Sequence, residues 1–455
     1  MGCWTEKRLR SVLARWLWSG SDRFCFQIVS RVSRMSFLAG LLRGKNEPLL
    51  VLDIGTEVAK ALVFFVHEKE KKGIIVGTGK VWQRRGNMQS GAVSDISGVI
   101  ATCREAIEMA VQQANVKKVK RAIIGVAGEL VKGTTTTVHY ERKRPEVRIE
   151  LSELKDIIRK VQEKAYERIR KQLAWETGQD DIEIELVNAA IIDVRIDGYQ
   201  VTNPLGFQGR DVSVSVFNAY APMVHLGAIQ TIAEELRVEL LSIAAEPYAV
   251  ARSVDYEDLL DFSAIFVDIG GGTTDIAVVR NGGLEGTKMF ALGGRAFTKR
   301  LSQELGIGLD EAEKLKINYA EGRLGEDVTA KLEEILRNDC HVWLSGVELS
   351  LVEFAEADVL PSKILLCGGG SALPGIKRAL MSPEWTKNLP FAKAPTVSFL
   401  QPRDVSRMMD STNSLKTPQD VTPMGLANLA IDMLGEEKIL SNILKRVVED
   451  IQRQR

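Results

Sequence analysis

Two stretches of this 455-residue chain place an aspartate, a glycine and a threonine at the end of an apolar run, a combination that suits phosphate chemistry. In the first, Leu49-Leu50-Val51-Leu52 runs into Asp53-Ile54-Gly55-Thr56. In the second, Ala264-Ile265-Phe266-Val267 runs into Asp268-Ile269-Gly270-Gly271-Gly272-Thr273-Thr274-Asp275. A tight hairpin containing glycine lets the main chain approach a phosphate, so that its N–H groups donate to the oxygens. The hydroxyl of Thr56 or Thr273 adds a donor, and an aspartate at the strand end can hold water on a Mg2+ that neutralises the phosphates. Two such hairpins, opposed, grip a triphosphate from both sides. The chain has no G-x-x-x-x-G-K-[ST] and no strand–G-x-G-x-x-G–helix unit, so this is not P-loop chemistry. Taken alone, the first loop also reads as an ordinary hairpin turn. Three consecutive glycines in the second are costly to order and need a reason.

A third glycine cluster, Gly368-Gly369-Gly370, follows the apolar run Lys363–Cys367 and precedes Ser371-Ala372-Leu373-Pro374-Gly375. Close approach of the backbone to a flat ligand such as adenine, next to a helix N-terminus, explains such a turn. A plain strand–helix connection explains it too. Glu313 and Lys316, three apart in a helical stretch over Asp310–Tyr319, share one face. They can reach ribose hydroxyls, or form a surface ion pair worth a few tenths of a kcal/mol, roughly.

The elements that must carry these loops follow from apolar spacing. Strands are expected at Leu49–Leu52, Val58–Val66, Ile74–Val81 and Arg121–Val126, with a helix over Val99–Asn115. From about Glu129 to Pro222 the texture changes. Thr134–Tyr140 is a β-branched alternating strand, and Leu151, Leu154, Ile157, Ile158, Val161, Ala165, Ile169 and Leu173 line one face of a long helix. Strands at Ile184–Val194, Tyr199–Thr202 and Asp211–Ala219 complete a small α+β module inserted into a larger α/β domain. A helix over Leu226–Leu240 and a short strand at Leu241–Ala244 lead to the second glycine hairpin. The unit "apolar strand, Asp-Ile-Gly, Thr, second strand" thus recurs 215 residues later, which suggests two similar halves facing one cleft.

Bulk composition narrows the function. A chain this long is expected to form two or more domains. Its 45% hydrophobic and 26% charged residues are ordinary for a globular protein. Zero formal net charge argues against nucleic acid as the main partner. Residues 1–45 nevertheless carry nine Lys or Arg against Glu6 and Asp22, a net +7 balanced by −7 in the remainder. Five scattered cysteines without a C-x-x-C pair fit reduced thiols, and no two of the four histidines lie at metal-ligand spacing. No apolar run approaches the ~20 residues of a membrane-spanning helix.

With the loops in order, the chain resembles the actin-like ATPase superfamily, and within it the cell division protein FtsA family over roughly Leu49 to Leu434. The residues that carry the resemblance are DIGGGTTDIAVV, ALGGRAFTKRL and EAEKLKINY within Phe266–Tyr319, together with NPLGFQGRDVSVSV, AAEPYAVA and ILLCGGGSALPGI. The resemblance implies an α/β, actin-like two-lobed ATPase fold with a small inserted α+β module in the first lobe. It divides the chain into an N-terminal extension (1–46), a first lobe (47–128 and 223–250) interrupted by the module (129–222), a second lobe (251–434) and a C-terminal helix (435–455). Asp53, Gly55 and Thr56 would form the first phosphate loop, and Asp268, Gly270, Gly271, Gly272, Thr273 and Thr274 the second, with Asp53 and Asp268 near Mg2+. Gly293 and Gly294, with Glu313 and Lys316, would border the nucleoside, and Gly368, Gly369 and Gly370 the adenine of ATP. Glu246 would orient the attacking water. Weak or absent hydrolysis, self-association into filaments, and a partnership with the C-terminal peptide of the tubulin-like protein FtsZ at the cytoplasmic face of the inner membrane are also implied. A PilM-like pilus-assembly platform is the nearest alternative, and a sugar-kinase-like phosphotransferase a more distant one.

Three features depart from the FtsA pattern. Lys60 lies seven residues after Asp53, as in PilM, where FtsA chains place it two residues earlier. An extension precedes Leu49, and Met35 is a candidate start that leaves Ser36–Asn46 as a short leader. The C-terminal stripe Ile439, Leu440, Ile443, Leu444, Val447, Val448 and Ile451 lacks an aromatic anchor, and its polar face mixes acids with bases. Either residues 436–455 or residues 1–44 would meet the membrane surface. The C-terminal helix alternatively docks on its own domain or on another subunit. Residues 8–18 read as a membrane-surface helix or as an untranslated or disordered leader.

Overall fold

The apolar runs before each Asp-Ile-Gly become central strands, each folding straight back through a tight hairpin. The computed structural model describes residues 47–67, 70–128, 131–178, 182–254, 262–355, 358–391, 393–434 and 439–454. The extension 1–46, with its candidate start at Met35 and the amphipathic stretch 8–18, lies outside the described residues.

The described residues open with β1 (Leu49–Ile54), β2 (Val58–His67), β3 (Lys72–Trp82), β4 (Met88–Gln89), β5 (Ala92–Val93), α1 (Ile96–Ala114) and β6 (Arg121–Val126). The module follows as β7 (Lys132–Glu141), α2 (Leu151–Thr177), β8 (Ile184–Ile196), β9 (Tyr199–Gln200) and β10 (Asp211–Pro222). Next come α3 (Met223–Glu235), β11 (Glu239–Ala245), α4 (Glu246–Ala251), β12 (Ala264–Ile269), β13 (Thr274–Arg280) and β14 (Gly283–Phe290). Three helices follow, α5 (Gly294–Leu305), α6 (Leu309–Ala320) and α7 (Glu326–Ala355). The chain closes with β15 (Lys363–Cys367), α8 (Pro374–Leu380), α9 (Pro383–Thr386), β16 (Thr396–Phe399), β17 (Met408–Asp410), α10 (Val421–Leu434) and α11 (Ile439–Gln454). Among the described residues no helix is long and apolar enough to cross a membrane.

One strand pattern occurs twice. β1 pairs antiparallel with β2 and parallel with β6, and β12 pairs antiparallel with β13 and parallel with β15. The first sheet runs β11-β6-β1-β2-β3-β17; the second runs β16-β15-β12-β13-β14 and continues into the module as β7-β10-β8-β9. The junction is narrow, since β14 meets β7 only at Gly286–Thr134 and Thr287–Gly133. The module's strands extend the second sheet, because Gly133 and Gly286 let the two backbones close at that point.

One helix end and one buried face differ from expectation. The helix expected over Leu226–Leu240 ends at Glu235, because Arg237 takes a left-handed φ of 56° and Glu239 already opens β11. In α2 the apolar face holds as spaced, with Leu154, Ile158, Val161, Ala165 and Leu173 fully buried, but Leu151 in the first turn is 44% exposed. Separate apolar clusters lie about the first sheet, between the second sheet and α5–α8, and inside the module. Burial at ~25 cal/mol per Å² of apolar surface makes these clusters the main source of stability. They hold the strand ends rigidly enough to serve a site.

Candidate nucleotide-binding site

Each hairpin begins where a buried strand runs out. Asp53 ends β1, opposite Lys60 on β2; Asp268 ends β12, opposite Asp275 on β13. Both partners sit seven residues after their aspartate, so Lys60 and Asp275 are equivalent positions in the two copies of the unit. One copy brings a cation, the other a third carboxylate. Lys60 Nζ donates to Asp53 Oδ2 at 2.9 Å. Burial opposes the charge on Lys60, but Asp53, then Asp268 and Glu246, more than offset it, and the ammonium is held above its ordinary pKa.

The two loops touch directly. A Cβ on Gly271 would lie 2.4 Å from Glu57 Cγ, and one on Gly272 would lie 2.6 Å from Thr56 Oγ1. The glycine run is therefore required by the approach of one hairpin to the other. Thr56 Oγ1 accepts from Gly91 N at 3.2 Å and keeps its own hydrogen free to donate. Thr273 Oγ1 donates to Asp275 Oδ2 at 3.1 Å.

A cavity of about 450 Å³ opens where these loops meet. Its walls bring together Asp53, Gly55, Thr56, Glu246, Asp268, Gly270, Gly271 and Thr273 at one end. Gly294, Glu313, Lys316, Gly368, Gly369 and Gly370 line the remainder. Three of the residues expected at the site do not line it. Gly272 faces Thr56, and Gly293 lies under the second loop, where a Cβ would meet Gly270 O at 2.6 Å. Thr274 is fully buried, donates to Leu292 O at 2.7 Å, and accepts from Trp343 Nε1 at 2.9 Å, so its hydroxyl serves the second lobe's core.

Glu313 and Lys316 form an ion pair at 2.8 Å and line the cavity; Lys316 is buried, so the pair is not a surface one. Lys316 Nζ also donates to Gly294 O at 3.0 Å and to Thr298 Oγ1 at 2.9 Å, which ties α6 to the start of α5. The third glycine loop is anchored where Gly368 N donates to Pro418 O at 3.1 Å. The loop Thr417-Pro418-Gln419, which also lines the cavity, is held by Asp420, whose Oδ2 accepts from Lys416 N, Thr417 N and Thr417 Oγ1.

The acid end is crowded. Burial first, then the neighbouring Asp53, Asp275 and Asp268, push the Glu246 carboxyl well above the usual carboxylate range. Burial and Asp268 do the same to Asp275, whose Oδ1 is buried without a hydrogen-bond partner. Asp268 is raised mainly by burial, although a hydrogen bond from Thr422 Oγ1 favours its charge. Like charges brought this close fit a site that expects a cation. Among the described residues no three His, Cys, Asp or Glu side chains converge into a metal cage. Asp53 and Asp268, two carboxylates beside the glycine loops, fit Mg2+, which keeps several waters and is commonly carried by one or two carboxylates plus a ligand's phosphates.

Several functional contacts left no local pattern in the sequence. Trp82, at the end of β3, stands at the cavity mouth and is 57% exposed. Thr422 reaches Asp268 from α10, 154 positions away. Arg295, at the start of α5, donates to Glu57 Oε1 at 2.5 Å, to Met88 O at 3.1 Å and to Thr56 O at 3.2 Å. It thereby latches the second hairpin's lobe to the first loop. The only sequence clue was that Arg295 follows Gly293-Gly294 directly. Hydrogen bonds to a charged group are worth about 1.5–3 kcal/mol. Arg295→Ala should therefore speed amide exchange in residues 55–58 and 88–93 by roughly 10–100-fold. Unchanged exchange there would show that the latch carries no closing energy.

The sequence comparisons point to cell division protein FtsA. The model of cell division protein FtsA matches residues 265–414. FtsA of Neisseria meningitidis serogroup B is 27% identical over 405 residues, covering 85% of this chain and 90% of that protein. FtsA of Bacillus subtilis is 24% identical over 352 residues, covering 73% of this chain and 75% of that protein. The chain resembles cell division protein FtsA. Among solved structures, a PilM–PilN type IV pilus biogenesis complex matches with a TM-score of 0.59 at 16% identity, covering 84% of this chain and 98% of that one. The fold is actin-like, and the FtsA resemblance read from the loops holds.

Proposed function

We propose that this FtsA-like chain is an ATP-binding cell-division scaffold that tethers FtsZ filaments to the cytoplasmic face of the inner membrane. The observation that carries the reading is the convergence of all three glycine loops on one cavity with Asp53, Lys60 and Asp268 at its acid end. In this reading Gly55, Thr56, Gly270, Gly271 and Thr273 cradle the phosphates. Asp53 and Asp268 hold the waters of a Mg2+ ion, Glu313 and Lys316 border the ribose, and Gly368–Gly370 lie under the adenine. Mg2+ would neutralise the phosphates and relieve the mutual repulsion of the carboxylates.

Bound nucleotide draws the first and second lobes together across the cavity, and the closed form adds head-to-tail to its own kind. Many weak membrane contacts in one filament then act by avidity. Burial and acidic neighbours raise the Glu246 carboxyl well above the usual carboxylate range, and weak or absent hydrolysis is what the FtsA resemblance implies. Slow turnover at most follows, and the chain works as a binding protein. A PilM-like pilus platform is the second reading, favoured by the fold overlap and by the position of Lys60. The sequence relatives favour division.

The test is co-sedimentation with anionic vesicles, ATP and the organism's FtsZ, using the full chain and versions lacking residues 1–44 or 436–455. FtsZ pelleting only when this protein is present is the expected result, and the truncations assign the membrane contact. If the protein pellets and leaves FtsZ in solution, the division reading fails and pilus-assembly tails become the partners to try.

A further inference from the structure

The apolar stripe of α11 is already in use. Ile443, Leu444 and Val447 are 4%, 4% and 1% exposed, buried in the same cluster as Ile157, Ile158 and Val161 of α2 and Val194 and Ile196 of β8. Leu440, Val448 and Ile451 pack against its margin, while Arg446 and Asp450 face solvent. α11 thus lies in a trough on the inserted module, floored by β8 and walled by α2. The described side chains that meet in this contact are apolar. It is also unevenly packed: Val448 and Ile451 face a cavity of about 400 Å³ bordered by Gln162, Tyr166 and Tyr220.

We infer that the module is a holding site that withholds α11 from the membrane. The inference rests on the membrane reading above and adds a gate to it. One stripe cannot be buried in protein and in lipid together, so attachment through α11 requires undocking. Apolar burial exchanged for lipid of similar apolarity leaves the two states close in free energy. Apparent membrane affinity then falls by the fraction of molecules undocked, and a filament that presents many helices at once can tip the balance. Undocking uncovers a helix-length apolar trough on the module, so the released state differs from the docked state on its protein-facing surface too.

The measurement is maleimide labelling of Ala189→Cys, a small change at a half-buried position on β8 beside the trough, followed peptide by peptide. The full chain is tested with and without vesicles of phosphatidylglycerol and phosphatidylethanolamine, and pelleting is scored in parallel. The expected result is slow labelling in solution and a rise of about tenfold or more on vesicles, as the docked fraction empties. Protein that pellets with the introduced thiol still protected would overturn the gate while leaving the membrane reading standing through another segment. Should the protein stay in solution, Ala189→Glu, which pushes a charge against the stripe, decides the matter. Pelleting of that variant alone supports a gate that is strongly closed; failure of both to pellet removes the gate and the α11 membrane contact together.

Discussion

Replacing Asp268 by alanine should lower ATP affinity roughly 10–100-fold in the presence of Mg2+, the loss usual when a group that orients a metal's surroundings is removed. The fold should survive. Asp268 has a raised pKa, chiefly from burial. A carboxyl raised on folding adds stability below its unfolded pKa and loses it as the pH climbs through the folded value. At neutral pH, above the unfolded value, the ionised side chain therefore opposes folding instead of supporting it. What the variant gives up is the hydrogen bond from Thr422, about 1.5–3 kcal/mol for a bond to a charged group, with the smaller help of Lys60 and Cys367. Asp268→Asn keeps an acceptor for that hydroxyl and removes only the charge. Calorimetric titration with ATP and Mg2+, alongside thermal melts at neutral pH, measures both effects. Undiminished affinity in Asp268→Ala and Asp268→Asn would take the nucleotide out of this cleft.

Residues whose role is fixed by local backbone were legible in the sequence, and residues whose role depends on a distant element were not. Asp53, Gly55, Asp268 and Gly270 announce themselves because strand, turn and strand lie within a dozen positions. The pairing of Lys60 with Asp53 could also have been found, since Asp275 stands at the same offset from Asp268. Arg295 and Thr422 could not, because each reaches a loop that only the tertiary fold brings near. Gly272 and Gly293 were legible as unusual but not as to cause. They serve contacts between loops, and nothing in a glycine says what will approach it. The α11 stripe shows a related limit: periodicity establishes an amphipathic helix but does not say what covers it. The same spacing that suits a lipid surface here meets Ile158 and Val194.

The third glycine loop allows stability and ligand contact to be separated within two adjacent positions. Gly368 has φ +80°, and a Cβ there would lie 2.1 Å from Asp268 Oδ1 and 2.5 Å from Ile269 O. With ψ 161°, this backbone is open essentially to glycine alone and costs another residue about 1–3 kcal/mol, and overfilling a packed site adds about 1–3 kcal/mol. Gly368→Ala should therefore lower the melting temperature by several degrees and weaken ATP binding as well, because Asp268 must move. Gly369 is different: its Cβ would meet nothing nearer than Gln419, at 3.9 Å, and the residue lines the cavity. Gly369→Ala should melt like the wild type yet bind ATP more weakly, since the added methyl occupies space the adenine needs. Adenine-free triphosphate, which reaches only the first two loops, should bind that variant normally. If Gly369→Ala instead binds ATP as tightly as the wild type, the base lies elsewhere, and the glycine run after β15 is there for Asp268 alone.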